Sequence, residues 1–157
     1  MSQLFDYYAC TQAQIQELAE AISTMDEERQ ENIEAAMPAI VKLKNLNQDD
    51  FSFLAACASG DDFDLVEEVG ASELFMAIDE AEGPFILTYT SSATQAIAEL
   101  TVTDALLERW IQASTEFSGT DSQYARDLLT KSSAERLQGL CKTAIEKELE
   151  VFVCVFI

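Results

Sequence analysis

The 157-residue sequence predicts an α+β fold, with a small sheet of about three strands largely covered by helices. Three stretches point there: aromatic-rich LFDYYAC at residues 4–10, alternating FILTYT at 85–90, and uninterrupted apolar VFVCVFI at 151–157. Between them, apolar residues recur at helical spacing behind capping residues.

Residues 4–10 read as a strand because aromatic side chains suit the pleated, half-buried surface of a sheet. Thr11 follows as an N-cap with Gln14 completing a capping box, and Ile15, Leu18 and Ile22 carry a helix to about Ser23. Asp26 can start the next helix, with Glu27 and Glu28 in a first turn whose dipole favours anions. Ile33, Met37, Ile40 and Val41 form its apolar stripe, and Pro38 either kinks it or begins a new helix. Asn47 is a further N-cap, opening QDDFSFLAACAS, and Gly60 is a natural stop. The stretch GDDFDLVEEVG (residues 60–70) reads as a short helix capped by Asp61 or Asp62, with Leu65, Val66 and Val69 inward and Glu67 and Glu68 solvated. SELFMAIDEAEG suggests another short helix carrying Leu74, Phe75 and Ile78, broken by Gly83 and Pro84.

In the middle stretch, Phe85, Leu87 and Tyr89 share one face of a strand, and Ile86, Thr88 and Thr90 share the other. Ser92 and Gln95 form a capping-box pattern for a helix through Leu100, and Thr103 caps a helix carrying Leu106, Leu107, Trp110 and Ile111. Asp121 or Ser122 caps another, and Ser133 begins the last helix, with Leu137, Leu140, Cys141 and Ile145 on its apolar face. The closing stretch is apolar on both faces, so it is expected in the centre of the sheet, between the N-terminal strand and residues 85–90. Trp110, Tyr7 and Tyr8 read as packing residues. No repeat or linker divides the chain, and a single domain over residues 1–157 is expected.

Four segments together resemble the YfbM-like family of bacterial proteins: LFDYYACTQAQIQELAEAI, DDFSFLAACASG, EGPFILTYTSSATQAIAEL and VFVCVFI. The chain departs from that pattern at Phe85-Ile86-Leu87, where no glycine accompanies the strand. The resemblance implies a single α+β domain and no particular activity.

Composition narrows the function. Hydrophobic content is 48%, so the acidity is not that of a disordered chain, and the formal net charge is −20, with 29 acids against nine Lys and Arg. Such a field opposes nucleic-acid phosphates and anionic lipid, and favours basic proteins or cations. No stretch approaches the roughly 20 apolar residues that span a bilayer. The opening residues lack the basic and long apolar regions of a signal peptide. Cys10, Cys57, Cys141 and Cys154 are scattered in apolar settings, which suits buried free thiols and a cytoplasmic location.

Histidine is absent, which removes the commonest general base, nucleophile activator and metal ligand. There is no P-loop and no dinucleotide fingerprint. The hydroxyl-rich TYTSSAT at residues 88–94 lacks a nucleophile elbow around Ser91 or Ser92 and reads as capping. No catalytic residue, metal or cofactor is therefore expected. An enzyme or small-ligand domain with a carboxylate-lined cleft is the competing class.

In GDDFDLVEEVG, Asp62 and Asp64 match the first two ligand positions of a calcium loop, but Val66 occupies the third and the central glycine is missing. An EF-hand is excluded; a looser cation site on Asp61, Asp62, Asp64 and Glu67 is an alternative. A larger pattern surrounds it: residues 45–108 hold fourteen acids and no Lys or Arg. Solvated helices usually mix signs, because opposite pairs stabilise and like pairs repel. The expectation is an acidic face for a basic protein partner, its concrete form an immunity or inhibitor protein for a bacterial toxin. The contact residues would be Asp61, Asp62, Asp64, Glu67 and Glu68, then Asp79, Glu80 and Glu82. Acidity serving only solubility or salt tolerance is the remaining alternative, and it predicts acids spread evenly.

Overall fold

A strand with no polar face needs cover on both sides and a neighbour on both edges. The computed structural model, which describes residues 3–60, 72–79, 81 and 83–156, gives the C-terminal strand all four. The chain runs β1 (Leu4–Cys10), α1 (Gln12–Ser23), α2 (Glu27–Ala36), β2 (Ala39–Lys42) and α3 (Gln48–Ser59). It continues as the hairpin of β3 (Ser72–Ala77) and β4 (Phe85–Tyr89), then α4 (Ser91–Glu99) and α5 (Asp104–Ser118). After α6 (Ser122–Leu128) and α7 (Lys131–Glu146) it ends in β5 (Glu150–Phe156). The described residues thus form one antiparallel sheet of five strands, in the order β2-β1-β5-β4-β3, with seven helices.

β5 pairs with β1 on one side and β4 on the other, where Val153 stands opposite both Tyr7 and Leu87. Val151, Val153 and Val155 join Phe5, Tyr7 and Tyr89 in a large core covered by α3, α4, α5, α6 and α7. Phe152 and Cys154 join Tyr8, Cys10 and Ile86 in a smaller core beneath α1, with Ile33 of α2 at its margin. Strand alternation therefore splits Tyr7 and Tyr8 between two unequal layers.

The expected sheet of about three strands is corrected to five, and both missed strands have physical reasons. Ile33, Met37, Ile40 and Val41 fit a helical stripe, but Met37 precedes Pro38, whose ring disfavours helical backbone at the residue before it. Met37 is extended, with φ −76° and ψ 141°, α2 ends at Ala36, and residues 39–42 pair with β1. SELFMA was expected to be helical; it pairs with β4 as a strand. A bulge between Leu74 and Met76 breaks its alternation and hides the period of two.

Most caps stand where the sequence places them. Thr11 and Gln14 form the reciprocal box, Asp26 accepts from the Arg29 N–H, Thr103 from Leu106 and Asp121 from Tyr124. Two starts move. Thr90, not Ser92, caps α4 by accepting from the Ala93 N–H, and Thr130, not Ser133, caps α7. Both caps have β-region backbone, Thr90 just after β4 and Thr130 just after the end of α6, whereas the downstream serines are already helical. The helix expected within residues 60–70 lies outside the described residues beyond Gly60.

Candidate functional site

Fourteen of the 29 acids fall in residues 45–108, and the other fifteen share the rest of the chain with all nine bases. The fold brings six of the nine bases onto two neighbouring elements. Lys42 and Lys44 lie at and just after β2, one edge of the sheet. Lys131, Arg136 and Lys142 sit on α7 and Lys147 caps it, and this helix packs over β2, β1 and β5. An Arg136 guanidinium N–H reaches the Lys42 carbonyl at 3.4 Å, tying the two basic elements together. The base-free span instead supplies α3, β3, β4 and α4, on the far half of the sheet.

The three remaining bases are engaged by neighbours. Arg29 meets Glu20 at 3.5 Å, Arg109 donates to the Cys57 carbonyl at 3.4 Å, and Arg126 grips Glu108 through two bonds of 2.5 and 3.1 Å. The Arg126 pair borders a groove of about 450 Å³ between α5 and α6.

Of the residues expected at the contact face, Asp61, Asp62, Asp64, Glu67, Glu68, Glu80 and Glu82 lie outside the described residues. Asp79 is exposed just past β3, where it shapes the hairpin turn. Its carboxylate accepts from the Ala81 N–H at 2.8 Å and its carbonyl from the Gly83 N–H at 2.8 Å. Gly83 has φ 74°, and a side chain there would press on the Phe85 ring, so glycine is required at this position. Glu73 on β3 adds a second exposed carboxylate that the sequence reading did not single out.

Two buried carboxylates were also missed. Asp50 is the third residue of α3, and its carboxylate accepts from the Asn47 N–H at 3.3 Å and the Ser114 hydroxyl at 2.9 Å. Trp110 donates its indole N–H to the Asp50 carbonyl at 2.7 Å. Around this helix start, the Tyr7 hydroxyl lies 2.9 Å from the carbonyls of Leu46 and Asn47, and Tyr89 donates to Gln48 at 2.9 Å. Phe51 stacks between the two tyrosine rings, at 5.7 and 3.9 Å. Burial pushes Asp50 up to about 6, against the opposing pull of the Ser114 and Asn47 donors. The Asn47–Asp50 spacing is a capping box, so the sequence does contain this signal; the depth of its burial is not written there.

Asp6 is the other buried acid, on the α1 side of the sheet. Lys42 stands opposite it across β1 and β2, with its ammonium 3.9 Å from Asp6 and 2.9 Å from Glu34. The Tyr8 hydroxyl donates to Asp6 at 3.4 Å. Burial raises the Asp6 carboxyl while Lys42 draws it back. Here one lysine bridges α2, β2 and β1, which accounts for each group structurally.

Neither Asp6 nor Asp50 lines any of the five main grooves among the described residues, which run from about 160 to 520 Å³. The four cysteines are buried and free, and burial raises Cys57 to about 11, Cys10 and Cys154 to about 12, and Cys141 well above its ordinary value. None is poised as a nucleophile, since the thiolate is the reactive form. No set of three metal-ligating side chains converges among the described residues, and no described helix is long and apolar enough to cross a membrane. No family model, curated protein or solved structure matches this chain, so its chemistry is read from its own residues.

Proposed function

We propose that the protein is a non-catalytic, cytoplasmic binding protein whose acidic half engages a basic protein. The observation that carries this reading is the division of charge: the β2–α7 side gathers Lys42, Lys44, Lys131, Arg136, Lys142 and Lys147, while α3, β3, β4 and α4 hold none. Acidity serving only solubility or salt tolerance predicts acids spread evenly over the surface, with no concentrated face. A long base-free segment instead steers a partner of opposite charge and favours one side for its landing. An immunity or inhibitor protein for a basic bacterial toxin is the concrete form, with Asp61, Asp62, Asp64, Glu67, Glu68, Asp79, Glu80 and Glu82 as its contacts. Kinship with the YfbM-like family belongs to the same proposal and rests on the four segments that resemble it.

The competing cleft enzyme would need carboxylates converging on a cavity. The two buried acids among the described residues are instead absorbed by Lys42 and by the start of α3.

The test is capture of basic proteins on the immobilised chain at low and high salt, alongside a variant with Asp61, Asp62 and Asp64 changed to Asn. Retention at about 50 mM salt, lost by about 500 mM and weakened in the variant, is expected. Equal retention by the variant would move the contact elsewhere. No retention at low salt would remove the proposal.

A further inference from the structure

β3 is an outermost strand, and its outer edge meets no other strand among the described residues. Such an edge offers a row of unpaired N–H and C=O groups, and proteins usually guard it with lysine, proline or a very short strand. The opposite edge is guarded in these ways: β2 has four residues, follows Pro38, and holds Lys42 in two ion pairs. β3 has six residues, with neither lysine nor proline; its one interruption is the bulge between Leu74 and Met76, and Leu74 is 63% exposed. Beside it a groove of about 200 Å³ runs along α1, floored by Ala19, Met76, Ala77 and Ile78 and rimmed by Glu20. Exposed carboxylates, Glu73 and Asp79, stand near the two ends of β3.

We infer that the β3 edge is the docking site for an extended segment of a basic protein, which adds to the sheet as a sixth strand. The inference rests on the acidic-binding reading and names the part of that surface which grips. Main-chain hydrogen bonds to β3 supply affinity, and alternate side chains supply specificity. Apolar residues of the incoming strand lie on the face of exposed Leu74, and its lysines or arginines lie on the α1 face, toward Glu20 and Glu73. A second copy of this chain is the poorer occupant, because two molecules of formal charge −20 repel and β3 brings no base to offset them.

The probe is a capped peptide of about eight residues alternating valine and lysine, titrated into the isotope-labelled full chain at low salt. Its partners are the same peptide N-methylated at every second residue, which keeps charge but removes one edge of donors, and polylysine. The peptide is expected to shift the amides of residues 73–77. N-methylation, or the exposed-site variant Leu74→Lys, should weaken it by about tenfold or more. Equal binding of the N-methylated peptide would overturn edge docking while leaving the acidic-binding reading intact, as would binding of polylysine alone. No binding of any of the three at low salt would overturn both. A concentration-dependent dimer abolished by Leu74→Lys would place a second copy on the edge and overturn the proposal. So would slow hydrogen exchange at every amide of β3 in the free protein, which would show the edge already covered by the chain itself.

Discussion

Asp50→Asn isolates the energetic consequence of burying an acid at the start of α3. The Asp50 carboxyl stands at about 6 in the fold against an ordinary 3.8, and burial is the main cause. A carboxyl whose folded value lies above its unfolded value stabilises the fold in its protonated form. That contribution is complete below about pH 3.8 and is lost as pH rises through about 6. A rise of about two units corresponds to about 3 kcal/mol, at about 1.4 kcal/mol per unit. Asparagine removes the titration while keeping an oxygen that can accept from Ser114 or from the Asn47 N–H. The assay is urea unfolding of both proteins at closely spaced pH values from about 3.5 to 7.5, analysed as a difference so that the other carboxylates cancel. The wild type should lose about 3 kcal/mol relative to Asp50→Asn across this window, with the midpoint of the loss near pH 5. Parallel stability profiles, with a difference constant to about 0.5 kcal/mol, would refute the reasoning and show that water or a rearrangement relieves the buried charge.

Three other outcomes follow from the same geometry. Tyr7→Phe and Tyr89→Phe should each cost about 1–2 kcal/mol in urea unfolding, because each removes the one O–H donated to a carbonyl at the start of α3. Lys42→Met should move the Asp6 titration to higher pH, read by carboxyl carbon chemical shift, because the cation that draws it down is gone while burial remains. All four thiols should resist a disulfide-exchange reagent at about pH 8 in the folded protein and react together on unfolding; fast reaction of Cys57 in the native state would contradict its burial.

The elements legible in the sequence are those whose signal is local and uninterrupted. β5 declares itself by having no polar face, and its neighbours β1 and β4 by aromatic content and alternation, so the central three strands and their order were readable. Thr11–Gln14 and Asn47–Asp50 are capping boxes whose spacing already states the geometry they adopt. The edge strands were not legible. In β2 a four-residue strand lies within a stripe that also suits a helix, and in β3 a bulge removes the alternation that would mark it. Short strands take their conformation from the partner they pair with, and for β2 that partner is β1, two helices earlier in the chain, which leaves no local trace.

The sequence by itself determined the absence of histidine chemistry, the central place of the C-terminal strand and the base-free span of residues 45–108. Charge and hydropathy are properties of residues, so they survive any folding. Only the tertiary structure decided that six of the nine bases come together on β2 and α7, while Arg109 reaches back to the end of α3. It also put Asp6 and Asp50 inside while Glu73 and Asp79 stay outside, four carboxylates of nearly the same chemistry. Whether an acid is buried, bridged or exposed depends on which strand or helix lies across from it. That is set by pairing and packing between segments tens of residues apart, as when Ser114 of α5 closes over Asp50 of α3.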